Sequence, residues 1–243
     1  MSIRLKAFLL HLGLSAVIAM LVLLLVFKLW YPAPLHAAVG VAHIFLLLLL
    51  IDVILGPLLT LLVYKVGKKT LALDLAVIAV LQLSALGYGL WAVAEGRPAW
   101  LVFNTDRFDL VRVLDIDERK LGQALAEYRN PSWFGPRWVV AVPPFDIAEY
   151  GELMFESVRG GSDLPQRPNF YRPLSDSREM IQASLQPLSE LQRFNSIEQV
   201  QAVTKQWPAA DAWLPLMAGT PMVVLLRKES ADVLVVVNLR PWL

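Results

Sequence analysis

The chain has 243 residues, of which 56% are hydrophobic and 18% are charged, and its formal net charge at pH 7 is +1. This composition excludes a disordered chain and a coiled coil, because both carry a much larger charged fraction. Residues 1–96 contain six basic residues (Lys and Arg) and three acidic residues (Asp and Glu). Residues 97–243 contain sixteen basic and eighteen acidic residues. An apolar, weakly basic part followed by a part of ordinary composition predicts a membrane anchor joined to one soluble domain, and it excludes a purely soluble protein.

Three apolar segments exceed the roughly 20 residues needed to cross a bilayer. They lie at about residues 7–29, 41–64 and 70–94. Hydrocarbon offers no hydrogen-bond partner to a backbone, so each segment is predicted to be a transmembrane helix, and together they make residues 1–95 a three-helix membrane region. A cleaved signal peptide is the alternative for the first segment, but its apolar run exceeds the roughly 7 to 15 residues of a signal-peptide core, so we expect it to be retained.

Basic residues near the segment ends set the predicted orientation. The turn at 30–40 has no Lys or Arg, whereas basic residues lie before the first helix and between the second and the third: Arg4, Lys6, Lys65, Lys68 and Lys69. By the positive-inside rule the N-terminus is cytoplasmic and, after three crossings, residues 96–243 form a periplasmic domain. An aromatic belt is expected at the outer interface, formed by Trp30, Tyr31, Trp91 and Trp100.

Polar side chains inside the predicted helices are candidates for function, because a charge near the bilayer centre costs about 2.5 to 3.5 kcal/mol. Asp52 and Gln82 share a depth near mid-membrane, and we expect them to hydrogen-bond between the second and third helices. His11 and Asp74 share a depth near the cytoplasmic side, and we expect them to face each other. The alternative is that these groups only hold the helices together or reach toward water.

Gly56 and Pro57 follow Asp52 by one helical turn. Pro57 has no N–H for the carbonyl of residue 53, so it predicts a kink with a freed backbone acceptor beside a carboxyl group. Such a place is a candidate docking point for another helix. A kink that membrane helices simply tolerate is the alternative.

The C-terminal part is predicted to be an α+β domain with an antiparallel or mixed sheet. Runs rich in Val, Leu, Trp and Phe predict strands at 100–104, 108–114, 138–143, 222–228 and 233–239, with a hairpin at each end of this series. Helical patterns lie at 117–127, 147–158, 180–194 and 196–207. Residues 160–173, rich in Gly, Pro, Asp and Arg, predict a long surface loop.

Missing residue types restrict the chemistry of the C-terminal part. The chain has no Cys, and its three histidines, His11, His36 and His43, all precede residue 97, which excludes a His-based triad, a Cys nucleophile and a usual zinc site there. The sequence has no calcium loop and no Gly-rich phosphate loop, and its dispersed Arg residues give no reason to expect nucleic acid. We therefore expect no enzyme activity, catalytic residues, cofactor or metal, and Asp106 and Asp109 are the only close carboxylates near a turn that could form an acid–base pair.

Several runs of residues carry a resemblance to a known family. They are 52–64 (DVILGPLLTLLVY), 68–69, 74–78, 82–83, 97–98, 101–109 (LVFNTDRFD), 166–168, 171 and 237–242. In these runs, which are distributed over nearly the whole chain, the sequence resembles the type IV pilin accessory proteins of the TfpX/TfpZ kind. The resemblance implies a protein of the inner membrane of Gram-negative bacteria that assists a particular type IV major pilin, in its stability or in pilus assembly. It implies no catalytic residue.

The residues and the resemblance together predict two contact surfaces, because a pilin before assembly is an anchored helix with a globular head outside. In the bilayer, the candidate contacts with the pilin helix are Asp52, Gly56 and Pro57, with Gln82, Asp74 and His11 as further interaction residues. In the periplasm, the candidate contacts with the head are Asn104, Asp106, Arg107, Phe108, Asp109, Arg167 and Tyr171. Contact with the pilus assembly machinery also stays open.

Two other classes of protein stay open as alternatives. A membrane-anchored transferase that modifies pilin would act in the same pathway, although such enzymes usually have more spans and acidic motifs on an outer loop. A sensor subunit would need a partner for its output, because only six N-terminal residues and one short turn are predicted to be cytoplasmic.

Overall fold

The computed structural model describes residues 2–242, except for the side chain of Ile44. Three long apolar helices at the N-terminal side are followed by an α+β domain with a mixed sheet, which confirms the predicted fold class. Contacts between Cα atoms divide the chain into two compact units. The membrane unit comprises Met1–Pro32 and Val41–Gly96, and the C-terminal domain comprises Ala33–Gly40 and Arg97–Leu243.

The membrane unit consists of three helices, each long and apolar enough to cross a bilayer, so the chain is a multi-pass membrane protein. Helix α1 is Ile3–Leu24 and continues as a wider π-helical segment, Leu25–Trp30. Helix α3 is Val41–Val63 and helix α4 is Leu71–Glu95, while the short helix α2, Leu35–Val39, belongs to the C-terminal domain.

Small side chains and backbone contacts hold the membrane helices together. Helix α3 packs against both α1 and α4. A Cβ atom built on Gly89 of α4 would lie 3.0 Å from Leu48 Cδ2 of α3, so the glycine permits the close approach that membrane helices use in packing. Near the other end of α3, the Arg4 guanidinium donates a 2.7 Å hydrogen bond to the carbonyl of Leu61, where a helix C-terminus favours a cation.

The C-terminal domain is built on one mixed sheet of eight strands. The strands are β1 Pro98–Asn104, β2 Arg107–Arg112, β3 Arg137–Ala141, β4 Tyr171–Arg172, β5 Gln186–Pro187, β6 Ala212–Met217, β7 Met222–Arg227 and β8 Asp232–Val237. Their order is β4-β3-β1-β2-β6-β7-β8, with β5 beside β6. The pairs β1–β3 and β2–β6 are parallel and the others antiparallel.

Both faces of this sheet are buried, which explains why its strands read as continuous apolar runs. Along β1, Leu101 and Phe103 pack into one cluster, which α2 and α6 (Arg178–Ser184) cover. Trp100 and Val102 point to the opposite face, where α5 (Ile147–Val158) and α7 (Ile197–Gln206) supply the covering side chains. Residues 33–40 are therefore part of the domain core, and the Ala38 carbonyl accepts a 2.8 Å hydrogen bond from Thr220 N.

Several predicted elements are confirmed. The hairpin β1–β2 turns at Thr105 and Asp106, and β7 and β8 form the second hairpin. Helix α5 has the predicted bounds and begins after Asp146, whose carboxylate accepts from the backbone of Ala148 and Glu149. Helix α7 begins after Ser196, which forms a capping box with Gln199.

Two predicted helices are wrong. Residues 117–127 contain only the short 3-10 turns Leu121–Gln123 and Ala126–Tyr128 in place of a helix. The segment 180–194 is helical only to Ser184, because α6 gives way to β5 and then to a 3-10 turn, Leu188–Arg193. Pro187, whose ring cannot continue an α-helix, lies at this break.

Three further differences concern a buried tryptophan, the predicted surface loop and a strand that was not predicted. Trp100 is fully buried in the C-terminal domain, with its ring against Tyr128 and Tyr171, so the prediction that it joins an aromatic belt is wrong. The predicted surface loop 160–173 contributes Leu164 and Phe170 to the core. Strand β6 was not predicted, because Pro215 lies in it and proline is unusual inside a sheet. The strand pairs with β5 at residues 212 and 213 and with β2 at residues 216 and 217. Neither set of pairs uses the backbone N–H that Pro215 lacks.

Candidate functional site

The membrane unit contains a polar network centred on the side-chain amide of Gln82. Its Nε2 atom donates to Ser15 Oγ on α1 at 3.1 Å and to the main-chain carbonyl of Asp52 on α3 at 3.0 Å. Its Oε1 atom lies 3.0 Å from His11 Nε2 on α1. One side chain of α4 thereby hydrogen-bonds to both other helices.

Each ring nitrogen of His11 has a hydrogen-bond partner. When Nε2–H donates to Gln82 Oε1, the unprotonated Nδ1 atom accepts from the hydroxyl of Thr60, which lies at 2.7 Å. In this tautomer both ring nitrogens are paired without any charge on the ring. Ser15 and Thr60 are both buried, as polar groups in a lipid environment should be when they are paired.

Gly56 makes room for this network. A Cβ atom at this position would lie 2.1 Å from Gln82 Oε1 and 2.7 Å from Nε2, so any other residue would displace the amide. Helix α3 runs through Pro57. Because Pro57 has no N–H, the carbonyl of residue 53 lacks its usual helical hydrogen bond. The side-chain amide of Gln82 binds the carbonyl of the preceding residue, Asp52.

A groove between α3 and α4 lies beside the network. It has a volume of about 300 Å³ and is lined mainly by apolar side chains, among them Ile51, Leu55 and Ile78, together with Asp52, Gly56 and Gln82. Asp52 is the only residue of this lining that carries a formal charge when ionised. A carboxyl group in an apolar, lipid-facing groove favours an occupant that offers it a hydrogen-bond donor or a cation.

The structure brings together three of the predicted membrane residues, His11, Asp52 and Gln82, and the expected hydrogen bond between Asp52 and Gln82 involves both the backbone and the side chain of Asp52. The expected pairing of His11 with Asp74 is wrong. Asp74 lies in the first turn of α4, where its carboxylate accepts from Lys68 Nζ at 2.6 Å and from Thr70 at 3.3 Å. A carboxylate there complements the positive end of the helix.

Two members of the network were missed in the sequence, and both carry a recognisable signal. Ser15 follows His11 by four residues and Thr60 follows Gly56 by four, so each shares a helix face with a residue already singled out. Hydroxyl groups in apolar helices are easily overlooked, because they can also bond to the preceding turn of their own helix.

In the C-terminal domain, the predicted contact hairpin is partly exposed and partly buried. Thr105, with φ of +63°, and Asp106 form its exposed tip. The Asp109 carboxylate is held by Asn104 Nδ2 at 3.3 Å and Arg107 Nε at 3.4 Å. Phe108 is fully buried against Phe103 and Trp138, so in this fold it is a core residue and not a contact residue.

Asp109 also lines a cleft of the C-terminal domain with a volume of about 420 Å³. Burial is the main reason that the pKa of its carboxyl group is raised, and the nearby Asp163 adds to the effect while Arg107 and Asn104 oppose it. Asp115, in the same cleft, is paired with the guanidinium of Arg112 at 2.7 and 2.8 Å.

Arg167 and Tyr171, two further predicted contacts, are buried and hold the domain together. Arg167 Nη2 donates to Glu156 Oε2 at 2.6 Å and to the carbonyl of Ser162 at 2.9 Å. The Tyr171 hydroxyl donates to the carbonyl of Pro165, and burial raises its pKa. Neither side chain is accessible to a partner in this fold.

Arg167 belongs to a cluster of ion pairs at the edge of α5. Arg119 donates to both Asp117 and Glu156, and Ser162 donates to Asp117. The Arg119 guanidinium is the main reason that the pKa values of Asp117 and Glu156 lie below their usual range. The arrangement fastens the end of α5 to the segment 159–170, and within residues 2–242 no three His, Cys, Asp or Glu side chains are grouped to hold a metal ion.

Comparison with known proteins gives several matches. Residues 1–40 match the profile of the family described as fimbrial assembly protein FimB. Three fimbrial assembly proteins of Dichelobacter nodosus are similar in sequence. The serogroup E1 protein is 33% identical over 229 residues, covering 90% of this chain and 89% of the relative. The serogroup I protein is 34% identical over 182 residues, covering 74% and 70%. The protein of serogroups C1 and C2 is 36% identical over 116 residues, covering 47% and 88%. No solved structure matches.

Proposed function

We infer the function from one premise, that this chain belongs to the fimbrial assembly protein FimB family. The protein serves fimbrial assembly as a membrane-embedded accessory protein, without enzymatic activity of its own. The observation that carries this inference is the similarity to the serogroup E1 fimbrial assembly protein, which extends over 90% of the chain and so includes both the membrane helices and the C-terminal domain.

The direct partner in this proposal is the fimbrial subunit itself, a type IV major pilin, whose stability or incorporation the protein supports. The resemblance to pilin accessory proteins of the TfpX/TfpZ kind favours this partner over a glycan or a nucleotide. A subunit with a membrane helix and an outer head needs a partner with a surface in each environment. The chain offers membrane helices and a folded domain of about 150 residues, which suits that need.

The contact within the membrane is the groove beside Asp52. Hydrogen bonds and close approach, rather than burial of apolar area, drive association between membrane helices. The Asp52 carboxyl group supplies a hydrogen-bond acceptor in an otherwise apolar groove, and Gly56 lines the same groove. Gln82 hydrogen-bonds to the backbone carbonyl of Asp52 and also to its side chain, and the carboxyl group still lines the groove, where a subunit helix can reach it.

The test is co-purification of the fimbrial subunit with the full-length protein from its own membranes, normalised to the amount of accessory protein. We expect Asp52→Leu to leave protein abundance unchanged and to lower the co-purified subunit and the number of fimbriae. Asp74→Asn is the matched control, because it removes another carboxylate of the membrane helices at a site outside the groove. If Asp52→Leu lowers the abundance of the accessory protein, Asp52 has a structural role and is not a contact with the subunit. If the wild-type protein captures no subunit, the proposed partner is wrong.

The proposed orientation places the C-terminal domain in the periplasm. Basic residues before α1 and between α3 and α4 favour the cytoplasm for those ends. Residues 33–40, the connection without Lys or Arg, pack into the same domain as residues 97–243, as expected if both lie on the same side of the membrane. Alkaline phosphatase fused after the last residue should be active, whereas a cytoplasmic location would leave it inactive.

A further inference from the structure

Helix α5 carries an apolar stripe that the C-terminal domain leaves uncovered. Phe145, just before the helix, is 99% exposed, and Ile147, Phe155 and Val158 are 88%, 70% and 87% exposed. Tyr150 and Met154 are also exposed. The spacing of 147, 150, 154 and 158 places these side chains along one face, with Phe155 beside them. We name the six side chains the α5 stripe.

The opposite side of α5 attaches the helix to the domain. Leu153 is buried in the core. Glu149 pairs with Lys120 at 3.2 Å, and Glu156 pairs with Arg119 and Arg167. The usual arrangement of a surface helix is thereby reversed, with carboxylates toward the domain and the apolar face toward solvent. A contiguous exposed apolar patch of this kind marks an interaction surface.

Gly151 lies in the middle of the exposed face. A Cβ atom there would meet no atom within 4 Å, so packing inside the domain does not require a glycine. Glycine inside a helix costs about 0.8 to 1.0 kcal/mol relative to alanine. Because Gly151 has no side chain, a partner can approach the helix backbone closely at this position.

We propose that the α5 stripe is the docking surface for an apolar patch on the soluble head of the fimbrial subunit, an inference that rests on the proposed function. The occupant is chosen by charge. Lys120, Arg119 and Arg167 pair with Glu149 and Glu156, but acidic residues remain in excess around the helix. Residues 117–120 and 146–167 together contain seven Asp and Glu and four Lys and Arg, a net charge of 4 − 7 = −3. Helices that lie on membranes carry basic polar faces, and anionic lipid repels an acidic one. An apolar patch with a basic rim complements the stripe and its acidic flank.

A shared membrane makes a modest surface sufficient. When accessory protein and subunit are both anchored in one bilayer, a second contact forms at an effective concentration far above that of free partners. The stripe therefore has to supply only part of the total binding energy, with a few aromatic or aliphatic side chains making the dominant contacts.

The first experiment places a photo-crosslinking phenylalanine derivative at position 155 of the full-length protein in its own membranes. The matched control is position 197, because Ile197 is also exposed and begins a capped helix, α7, as Ile147 begins α5. We expect a cross-link to the fimbrial subunit from 155 and none above background from 197. A cross-link from 155 to lipid, to a second copy of this chain or to no protein would overturn the inference.

Two sets of variants separate binding from folding. Phe155→Ser with Val158→Ser should lower the co-purified subunit about ten-fold at equal protein level, the loss that corresponds to about 1.4 kcal/mol. Ile197→Ser should leave it unchanged. Gly151→Ala should raise the resistance of α5 to unfolding and yet lower co-purification, a combination that a merely structural glycine would not give. Unchanged binding in both α5 variants would refute the stripe.

The same pull-down separates the two proposals. In one outcome, wild-type protein captures the subunit, capture depends on Asp52, and all α5 variants bind normally. That result would refute the α5 stripe as a docking surface and leave the proposed function intact. Wild-type protein that captures no subunit would remove both.

Discussion

The membrane unit and the C-terminal domain each contain a polar cluster, and the two clusters differ in their interactions and exposure. In the membrane unit, the two ring nitrogens of His11 and the two amide atoms of Gln82 all have hydrogen-bond partners. In the C-terminal domain, Asp117, Arg119 and Glu156 form ion pairs, and the Arg119 side chain is mostly exposed to water. One region pairs its polar side chains in a partly buried network of hydrogen bonds, and the other leaves the charges of its ion pairs in contact with solvent.

The difference follows from the solvent of each region. Lipid is as apolar as a leucine side chain, so membrane helices gain little from burying apolar area and depend on hydrogen bonds and close approach. Water drives apolar side chains together, so the sheet of the C-terminal domain is held by the clusters on its two faces. Substitutions of apolar residues should therefore be most costly in the domain, and substitutions that disturb one amide should be most costly in the membrane unit.

The largest effect is expected for Phe108→Ala. Phe108 is fully buried between the rings of Phe103 and Trp138, and removal of a buried phenylalanine costs about 3 to 5 kcal/mol. The amount of full-length protein in the membrane should fall sharply, as measured by immunoblot and by protease resistance of the domain. Asp106→Ala, two residues away at the exposed tip, should have no such effect. If the Phe108→Ala protein is stable and loses only its binding to the fimbrial subunit, Phe108 is a contact residue and not a core residue.

Gly56→Ala should have the next largest effect, in the membrane unit. The added Cβ atom would take the place of the Gln82 amide and break its three hydrogen bonds, each about 0.6 kcal/mol in membrane proteins, for a total of about 2 kcal/mol. Unfolding of the full-length protein in mixed micelles, titrated with a denaturing detergent, measures this loss.

The chain supplies matched controls for that experiment. Gly13 on α1 and Gly87 on α4 have no atom within 4 Å of an added Cβ, so alanine at either position should be neutral or slightly stabilising. Equal behaviour of all three variants would contradict the central position of Gln82.

The sequence predicts the architecture well because long apolar runs and strand composition are strong local signals. It predicts the shared depth of Asp52 and Gln82, since depth is a matter of counting residues along a helix. It does not predict that His11 turns to Thr60 and Gln82 rather than Asp74, because depth leaves the rotation of each helix undetermined. The α5 stripe was also missed, because an amphipathic pattern does not reveal which face the domain covers.

Burial explains the remaining differences. Phe108 begins a predicted strand beside a turn, whereas Arg167 and Tyr171 stand in a predicted surface loop, and only the folded domain shows that all three side chains are covered. Strand β6 was not predicted because it contains Pro215. Whether a proline disrupts a strand depends on which neighbouring strand pairs at that residue. In each case the deciding contact is distant in the sequence.

A smaller effect is expected when acid disturbs the ion pairs of α5. The pKa of Glu156 is lowered mainly by Arg119 and then by Arg167, so this pair stabilises the domain above the ordinary carboxyl pKa of about 4 and loses that contribution as the pH falls below it. Hydrogen exchange of residues 147–158, corrected for intrinsic rates, should accelerate in this range. In Glu156→Gln the acceleration should be weaker, whereas Glu198→Gln, on α7, should behave as wild type at α5.

The smallest effect is expected for Asp109→Asn, with the opposite sign. Burial raises the pKa of Asp109, so its ionised form is less favourable in the folded domain than in the unfolded chain, and the folded state loses stability as the pH rises through that raised value. Asparagine keeps the size of the side chain and removes the charge. The variant should therefore be slightly more stable than wild type near pH 7, by at most about 0.5 kcal/mol, and the gain should disappear as the pH approaches 4. Thermal unfolding of the full-length protein at several pH values measures the difference. A loss of stability at pH 7 would mean that the hydrogen bonds from Arg107 and Asn104 to the carboxylate outweigh the cost of its burial.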